Sequence, residues 1–293
     1  MFGILNINKP AGMTSRRVVD RVAKLVRPAK AGHAGTLDPS ATGVLVVCVG
    51  PATRLIELIQ KQPKQYLAHF LLGKRSDTDD LDGVVVDVPL VQEVARAEVE
   101  ALLPEFVGSI EQVPPQFSAV HVQGRRAYSL ARGGQSVELR ARPVDVHQIR
   151  LTGIEFPELE LEIVCGSGTY IRSIARDLGE RLGCGALMSR LVRTAVGPYA
   201  LNSAIDFDRL TADSLSDVLL PPTSALADCP VYHCTDSQLS DIRCGRAFGI
   251  KDSIFDDAAT VAVIAPSGML VCLARFRSDD GTLAPKPVFI AGA

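Results

Sequence analysis

Apolar positions along the chain change their period from segment to segment, and those changes mark its elements. Val18, Val22, Leu25 and Val26 fall at helical spacing behind a cap at Thr14 or Ser15, which predicts a helix over Thr14–Val26. Val44–Val49 reads as a buried strand, Pro51–Gln62 as a helix and Tyr66–Leu72 as the next strand. An acidic turn ends at Gly83, and Val84–Val88 reads as a strand returning along the last, a hairpin that implies antiparallel sheet. Glu158–Cys165 predicts a further strand. After Gly166-Ser167-Gly168 comes a helix whose Ile171, Ile174, Ala175, Leu178 and Leu182 form one core-facing stripe, stopped by Gly183. Near the end, Thr260–Ile264 and Met269–Leu273 flank a Pro266-Ser267-Gly268 turn and read as a small, mostly β module. The elements follow no βαβ rhythm, and no internal repeat is visible.

With 293 residues, 47% hydrophobic and 22% charged, the chain can bury one or two cores, which excludes general disorder. The Pro221-Pro222 pair and Pro230 suggest a division into residues 1–225 and 226–293. No apolar run approaches the roughly 20 residues of a membrane span, and the N-terminus lacks the layout of a signal peptide, so a cytoplasmic address is expected. Seven cysteines, Cys48, Cys165, Cys184, Cys229, Cys234, Cys244 and Cys272, are scattered without a Cys-x-x-Cys, as suits buried free thiols in a reducing compartment. A formal net charge of -2 excludes a uniformly basic nucleic-acid binder. Charge is nevertheless segregated. Lys9, Arg16, Arg17, Arg21, Lys24, Arg27 and Lys30 face Asp20 alone within residues 1–36. Arg125, Arg126, Arg132, Arg140, Arg142 and Arg150 face Glu138 and Asp145 within residues 121–150, whereas the tail from Ser203 is acidic. A polyanion would meet mainly the first two thirds of the chain.

Several motifs fail on inspection. Asp77-Thr78-Asp79-Asp80-Leu81-Asp82-Gly83 resembles a calcium loop, but Leu81 and Val88 occupy positions that need oxygen ligands, so a solvated turn is the reading there. Gly73-Lys74-Arg75-Ser76 lacks the first glycine and the hydroxyl of a phosphate loop. Gly166-Ser167-Gly168 is neither a nucleophile elbow nor a dinucleotide fingerprint, which makes Ser167 a turn residue. Cys229, His233, Cys234 and Cys244 fit no zinc spacing. No metal site is expected.

The segment richest in candidate chemistry runs from Lys30 to Gly43, where Gly32, Gly35 and Gly43 punctuate a polar loop carrying His33 and Asp38. Glycines there suit close approach of a ligand or of another backbone. Asp38 precedes Pro39, so capping of a following turn and catalysis are both open from spacing alone.

Gly32-His33-Ala34-Gly35-Thr36-Leu37-Asp38-Pro39-x-Ala41-Thr42-Gly43 resembles the catalytic motif of the TruB family of pseudouridine synthases. Asn8-Lys9-Pro10-Ala11-Gly12-Met13-Thr14-Ser15 is similar to that family's opening motif. Lys64-Gln65-Tyr66 and Gly73-x-x-x-Asp77-Thr78-x-Asp80-x-Asp82-Gly83 resemble its tyrosine strand and the turn after it. Val113 to Tyr128 is similar to the start of its RNA-gripping insertion, and Gly168-Thr169-Tyr170-Ile171-Arg172-Ser173 and Leu191-x-Arg193-Thr194-x-x-Gly197 match the remaining motifs. The tail, through Pro230-Val231, Gly245-Arg246 and Gly281-x-Leu283-Ala284-Pro285-Lys286, looks like the PUA-like module that ends bacterial members. Two departures stand out: Ser40 where the family usually has Leu, and Arg16-Arg17 in place of its usual Ser/Asn/His-Asp type pair.

The resemblance implies an α+β fold: a large mixed, mainly antiparallel sheet with flanking helices and a central cleft, followed by the β module, with an insertion over about 113–150. It implies isomerisation of uridine 55 in the tRNA T-loop to pseudouridine, in which uracil leaves C1′, turns, and rejoins through C5. Asp38 would start the reaction, by attack at C1′, addition at C6 or removal of the C2′ proton. Arg172 would keep Asp38 ionised and aimed. Tyr66 would stack on the flipped base, Tyr170 and Leu191 would wall the pocket, and His33 would help open the loop. Arg125, Arg126, Arg132, Arg140 and Arg142 of the insertion would take phosphates. No cofactor is implied, because the reaction is an isomerisation, and a monomer acting on the T-arm without guide RNA is expected. Read without the family, Arg172 is a surface helix residue, Tyr66, Tyr170 and Leu191 are packing residues and His33 is a solvated loop residue. An RNA-binding or folding protein without chemistry, and a synthase acting on another RNA, remain the alternatives.

Overall fold

The computed structural model describes residues 1–89, 93–118, 121–122, 125–126, 139–250 and 255–290. Its strands are β1 (Gly3–Lys9), β2 (Ala31–His33), β3 (Thr42–Val49), β4 (Lys64–Leu72), β5 (Lys74–Ser76), β6 (Val85–Asp87), β7 (Gly108–Gln112), β8 (His121–Val122) and β9 (Arg125–Arg126). They continue as β10 (Arg142–Glu155), β11 (Glu158–Cys165), β12 (Ala186–Val196), β13 (Tyr199–Ala200) and β14 (Ile205–Asp206). The helices that matter for the site are α1 (Ser15–Leu25), α2 (Ile56–Lys61), α3 (Arg96–Leu102) and α4 (Ile171–Arg181).

Ten strands form one sheet in the order β14-β1-β3-β12-β4-β11-β10-β7, with β2 paired to β3 and β13 to β12. Most neighbours run antiparallel, while β1–β14 and β3–β12 are parallel. This is the mixed α+β architecture expected. Apolar side chains of β4, β11 and α4, among them Phe70, Leu161, Ile174 and Leu178, build one core beside the cleft. Val18, Val22, Leu45 and Val47 build another beneath α1. Helix α1 begins where the pattern predicts: Thr14 is its cap, accepting from the Arg17 amide at 3.2 Å, and Val18, Val19 and Val22 are buried.

The predicted hairpin needs correction. Val85–Asp87 does return antiparallel, but it pairs with Lys74–Ser76 in a separate two-stranded ribbon, not with Tyr66–Leu72. Both edges of β4 are already taken, by β11 and β12. A strand with two partners has no backbone groups left for a third. The segment predicted as a helix from Pro51 begins as a 3-10 turn over Gly50–Leu55 and becomes α-helical only at Ile56.

Five strands from Val231 to Val288 form the second sheet. Its Ala262, Ile264, Leu270 and Leu273 share a core with Ile4, Val44 and Val46 of the large sheet and Leu55 of the turn after β3, and the tilted rings of Phe2 and Phe289 have centroids 5.3 Å apart. Apolar packing therefore joins the two sheets. No helix among the described residues is long and apolar enough to cross a membrane.

Candidate active site

The loop between β2 and β3 that carries Asp38 is tied down from several sides. Ser15 Oγ donates to Leu37 O at 3.0 Å and accepts from Leu37 N at 2.8 Å. The Gly12 amide donates to Pro39 O at 2.9 Å. The Lys9 ammonium, fully buried, donates to Pro39 O at 3.1 Å, Met13 O at 2.7 Å and Pro10 O at 2.9 Å. From β12, Arg193 reaches Gly35 O at 3.1 Å, Thr36 O at 3.3 Å and Val44 O at 2.7 Å. Gly43, at φ +98°, lets β3 pass Arg193 closely; a Cβ there would sit 2.2 Å from Arg193 O. Two buried cations spent on carbonyls are costly, and they make this loop rigid.

Asp38 faces a cleft of about 380 Å³, lined among others by Tyr66, Phe117, Tyr170, Arg172, Met188, Leu191 and Arg193. Arg172 leaves the first turn of α4 and is 5% exposed. Its Nε stands 3.0 Å from Asp38 Oδ2, its Nη1 donates to Thr78 O at 2.9 Å and lies 3.5 Å from Asp80 Oδ2, and its Nη2 donates to Phe117 O at 3.1 Å. The surface position that the helix pattern suggested for Arg172 is thus overturned, because the acceptors come from three distant segments. Asp80 corrects the solvated-turn reading in the same way. It is 4% exposed, takes Thr78 Oγ1 at 2.5 Å and the Asp82 amide at 3.0 Å, and burial pushes its pKa up. The carboxylates of this turn serve the fold: Asp77 accepts from the Val84 amide and Asp82 from Ser40 Oγ.

Tyr66 sits on β4, partly buried, with its ring on the cleft wall; burial raises its hydroxyl pKa, against the opposing charge of Arg193. Tyr170 is the residue before α4, with its backbone held both ways by the Gln112 amide side chain at 2.8 and 3.1 Å. Leu191, on β12, also lines the cleft. His33 ends β2 and is not among the residues that line the cleft. Burial, then the charges of Arg193 and Arg16, hold its imidazole pKa down, and its Nδ1 is buried with no hydrogen-bond partner among the described residues. Arg142 lies 5.2 Å over the Tyr170 ring and donates to Gly168 O at 2.9 Å, so it braces the cleft wall. Arg140 is exposed. Arg125 and Arg126 are described by backbone alone, and Arg132 lies outside the described residues.

Pattern reading assigned no role to Lys64, Lys9 or Arg193. Lys64 is buried, donates to Ser167 Oγ at 2.7 Å and to Gln60 O, and burial lowers its pKa to about 8; Lys9 is lowered to the same value for the same first reason. A signal was present for Arg193: in β12 it stands two residues from the buried Leu191 on the same face, where a cation needs a reason. Among the described residues no group of three His, Cys, Asp or Glu stands close enough to hold a metal ion. The cleft therefore joins one half-exposed carboxylate, an arginine fixing it, an aromatic face and an apolar wall.

A family model described as TruB family pseudouridylate synthase, N-terminal domain, matches residues 23–171, and one described as tRNA pseudouridylate synthase B C-terminal domain matches 172–227. The chain belongs to the TruB family of pseudouridylate synthases. A tRNA pseudouridine synthase B of Dehalococcoides mccartyi is 40% identical over 99% of this chain and 97% of that protein. One from Cereibacter sphaeroides is 42% identical over 98% and 96%. Among solved structures, a Cbf5-Nop10-Gar1 complex contains a chain with TM-score 0.76 and 26% identity, covering 99% of this chain and 85% of that one. An H/ACA RNP bound to a substrate RNA containing 2'-deoxyuridine matches with the same TM-score at 25% identity. This TruB-family chain is thus a pseudouridine synthase, an isomerase, on the fold its motifs implied.

Proposed function

We propose that this enzyme converts uridine 55 in the T-loop of tRNA to pseudouridine, with Asp38 as the residue that starts the reaction. The observation that carries the reading is the Arg172–Asp38 pair at 3.0 Å at the floor of a cleft walled by Tyr66, Tyr170 and Leu191. The near-full-length likeness to tRNA pseudouridine synthases B supports tRNA as the substrate.

Arg172 holds Asp38 Oδ2, which aims the carboxylate and leaves Oδ1 to face the substrate. The nucleotide enters flipped, with its base against the Tyr66 ring and the apolar wall, because the target atoms are out of reach in a stacked loop. The carboxylate then attacks C1′, adds at C6 or takes the C2′ proton, and each route frees uracil to turn and rejoin through C5. Tyr66 is suited to the final C5 proton transfer. His33, at the end of β2, supports opening of the T-loop. Residues 113–150 act as the insertion that closes over the RNA, with Arg125, Arg126, Arg132, Arg140 and Arg142 as its phosphate contacts, and 226–293 act as an RNA-binding module. No guide RNA or cofactor enters this scheme, and a monomer in the cytoplasm suffices.

The test uses a tRNA transcript tritiated at uridine C5, with wild type and Asp38→Asn compared for label release. Release by the wild type alone is expected. Tight tRNA binding without release by the wild type would refute the reading and favour a folding protein.

A further inference from the structure

The basic N-terminal stretch is only partly used by the fold. Lys9 is buried against three carbonyls, and Arg21 donates to Leu210 O at 2.8 Å and lies 4.6 Å over the Phe207 ring. Arg16 and Arg17 do neither. Both are exposed and stand in the first turn of α1, which contains no acidic residue. A first turn is the least favourable helical place for a cation, since the peptide dipoles already make it positive. Two arginines there weaken the helix while concentrating positive potential at one end, in a chain whose net charge is -2.

That end abuts the cleft. Ser15, the neighbour of Arg16, is hydrogen-bonded both ways to Leu37, the neighbour of Asp38. The Gly12 amide holds Pro39 O on the other side of Asp38. Arg16 is near enough to His33 for its charge to act on the imidazole. Among the described residues its one carboxylate contact is Asp20, through Nε at 2.8 Å, and the two side chains are 80% and 48% exposed. A surface pair so open to solvent is weak and readily exchanged for a phosphate. Arg17 makes no ion pair among the described residues.

We propose that Arg16 and Arg17 form a phosphate-binding rim at the mouth of the cleft, gripping the RNA backbone beside the nucleotide that enters it. The inference rests on the RNA-modifying reading above and adds to it a contact carried by this chain's own departure from the family pattern. Guanidinium groups suit the task because their planar fork meets two phosphate oxygens at once.

The test compares wild type, an Arg16→Ala/Arg17→Ala variant and an Arg16→Lys/Arg17→Lys variant for binding to a tRNA transcript from 50 to 300 mM salt, with tritium release by the wild type run alongside. The alanine variant should bind about five- to thirty-fold more weakly at 0.15 M salt, and its slope of log affinity against log salt should be shallower by roughly one to two. The lysine variant should keep most of that slope. Alanine removes cations from the positive end of α1, so its thermal midpoint should not fall below that of wild type, which separates lost binding from lost folding. Equal affinity and slope for the alanine variant and an active wild type would overturn the rim alone. A wild type that binds no tRNA would overturn both the rim and the reading beneath it.

Discussion

Replacing Arg172 with methionine separates the two carboxylates that share it. The guanidinium and the Asp80 carboxylate have side chains 6% exposed each, whereas Asp38 is 36% exposed. Removing one partner of a buried pair typically costs about 3–5 kcal/mol. Asp80 keeps its Thr78 and Asp82 donors and already has a raised pKa, so it would take up a proton, which puts the loss near the lower end, about 3 kcal/mol. At roughly 2–3 °C per kcal/mol for a chain of this size, the thermal midpoint should fall by about 6–9 °C. Asp38, half in water, adds little to that loss, but without the guanidinium it is no longer aimed. A barrier increase of about 3 kcal/mol lowers kcat/KM by on the order of a hundredfold. Adding Asp80→Asn to Arg172→Met removes the stranded carboxylate, so the double variant should regain most of the stability and none of the activity. Denaturant unfolding and tritium release on the same preparations decide the matter. An Arg172→Met protein within 1 kcal/mol of wild-type stability, or a double variant that regains turnover, would refute this division of labour.

Three further outcomes follow from the geometry. Gly43→Ala places a Cβ 2.2 Å from Arg193 O at φ +98°, so it should cost about 3–4 kcal/mol in chemical denaturation, and a loss below 1 kcal/mol would mean the β3–β12 crossing is looser than described. Lys9, lowered to about 8, has lost its proton in the folded chain between pH 8 and 10.5, where the unfolded chain still binds it. Wild-type stability relative to Lys9→Met should therefore rise across that window, by up to about 3 kcal/mol; a relative fall from pH 7.5 to 10 counts against a desolvated ammonium. Native thiol labelling followed by mass spectrometry should modify Cys244 first and Cys229 more slowly, leaving Cys48 and Cys272, whose pKa values burial pushes up to about 12, untouched; early labelling of Cys48 would contradict the packing beneath β3.

Local pattern was enough for the elements whose partners lie on one side. The valines of α1 and the apolar stripe of α4 stand where their spacing puts them, since a helix satisfies its own backbone and needs only one buried face. The motif residues were legible through resemblance, and Asp38, Tyr66, Tyr170, Arg172 and Leu191 do meet in one cleft. Strand partners were not legible. Val84–Val88 had the composition to return along β4, but the choice of β5 depends on β11 and β12 having closed both edges of β4.

By itself, then, the sequence determined the family, the α+β class, the helices α1 and α4 and the set of residue types available for chemistry, because these depend on local periodicity and on motif identity. Only the tertiary structure decided which charges are buried. Lys9 and Asp80 read as ordinary polar residues along the chain, and with Arg172 and Arg193 they become a rigid frame for Asp38 once β3, β12, β4 and α4 are brought together. The physical reason is that burial and ion pairing are properties of neighbours in space, set by sheet order and register, which no window of sequence contains.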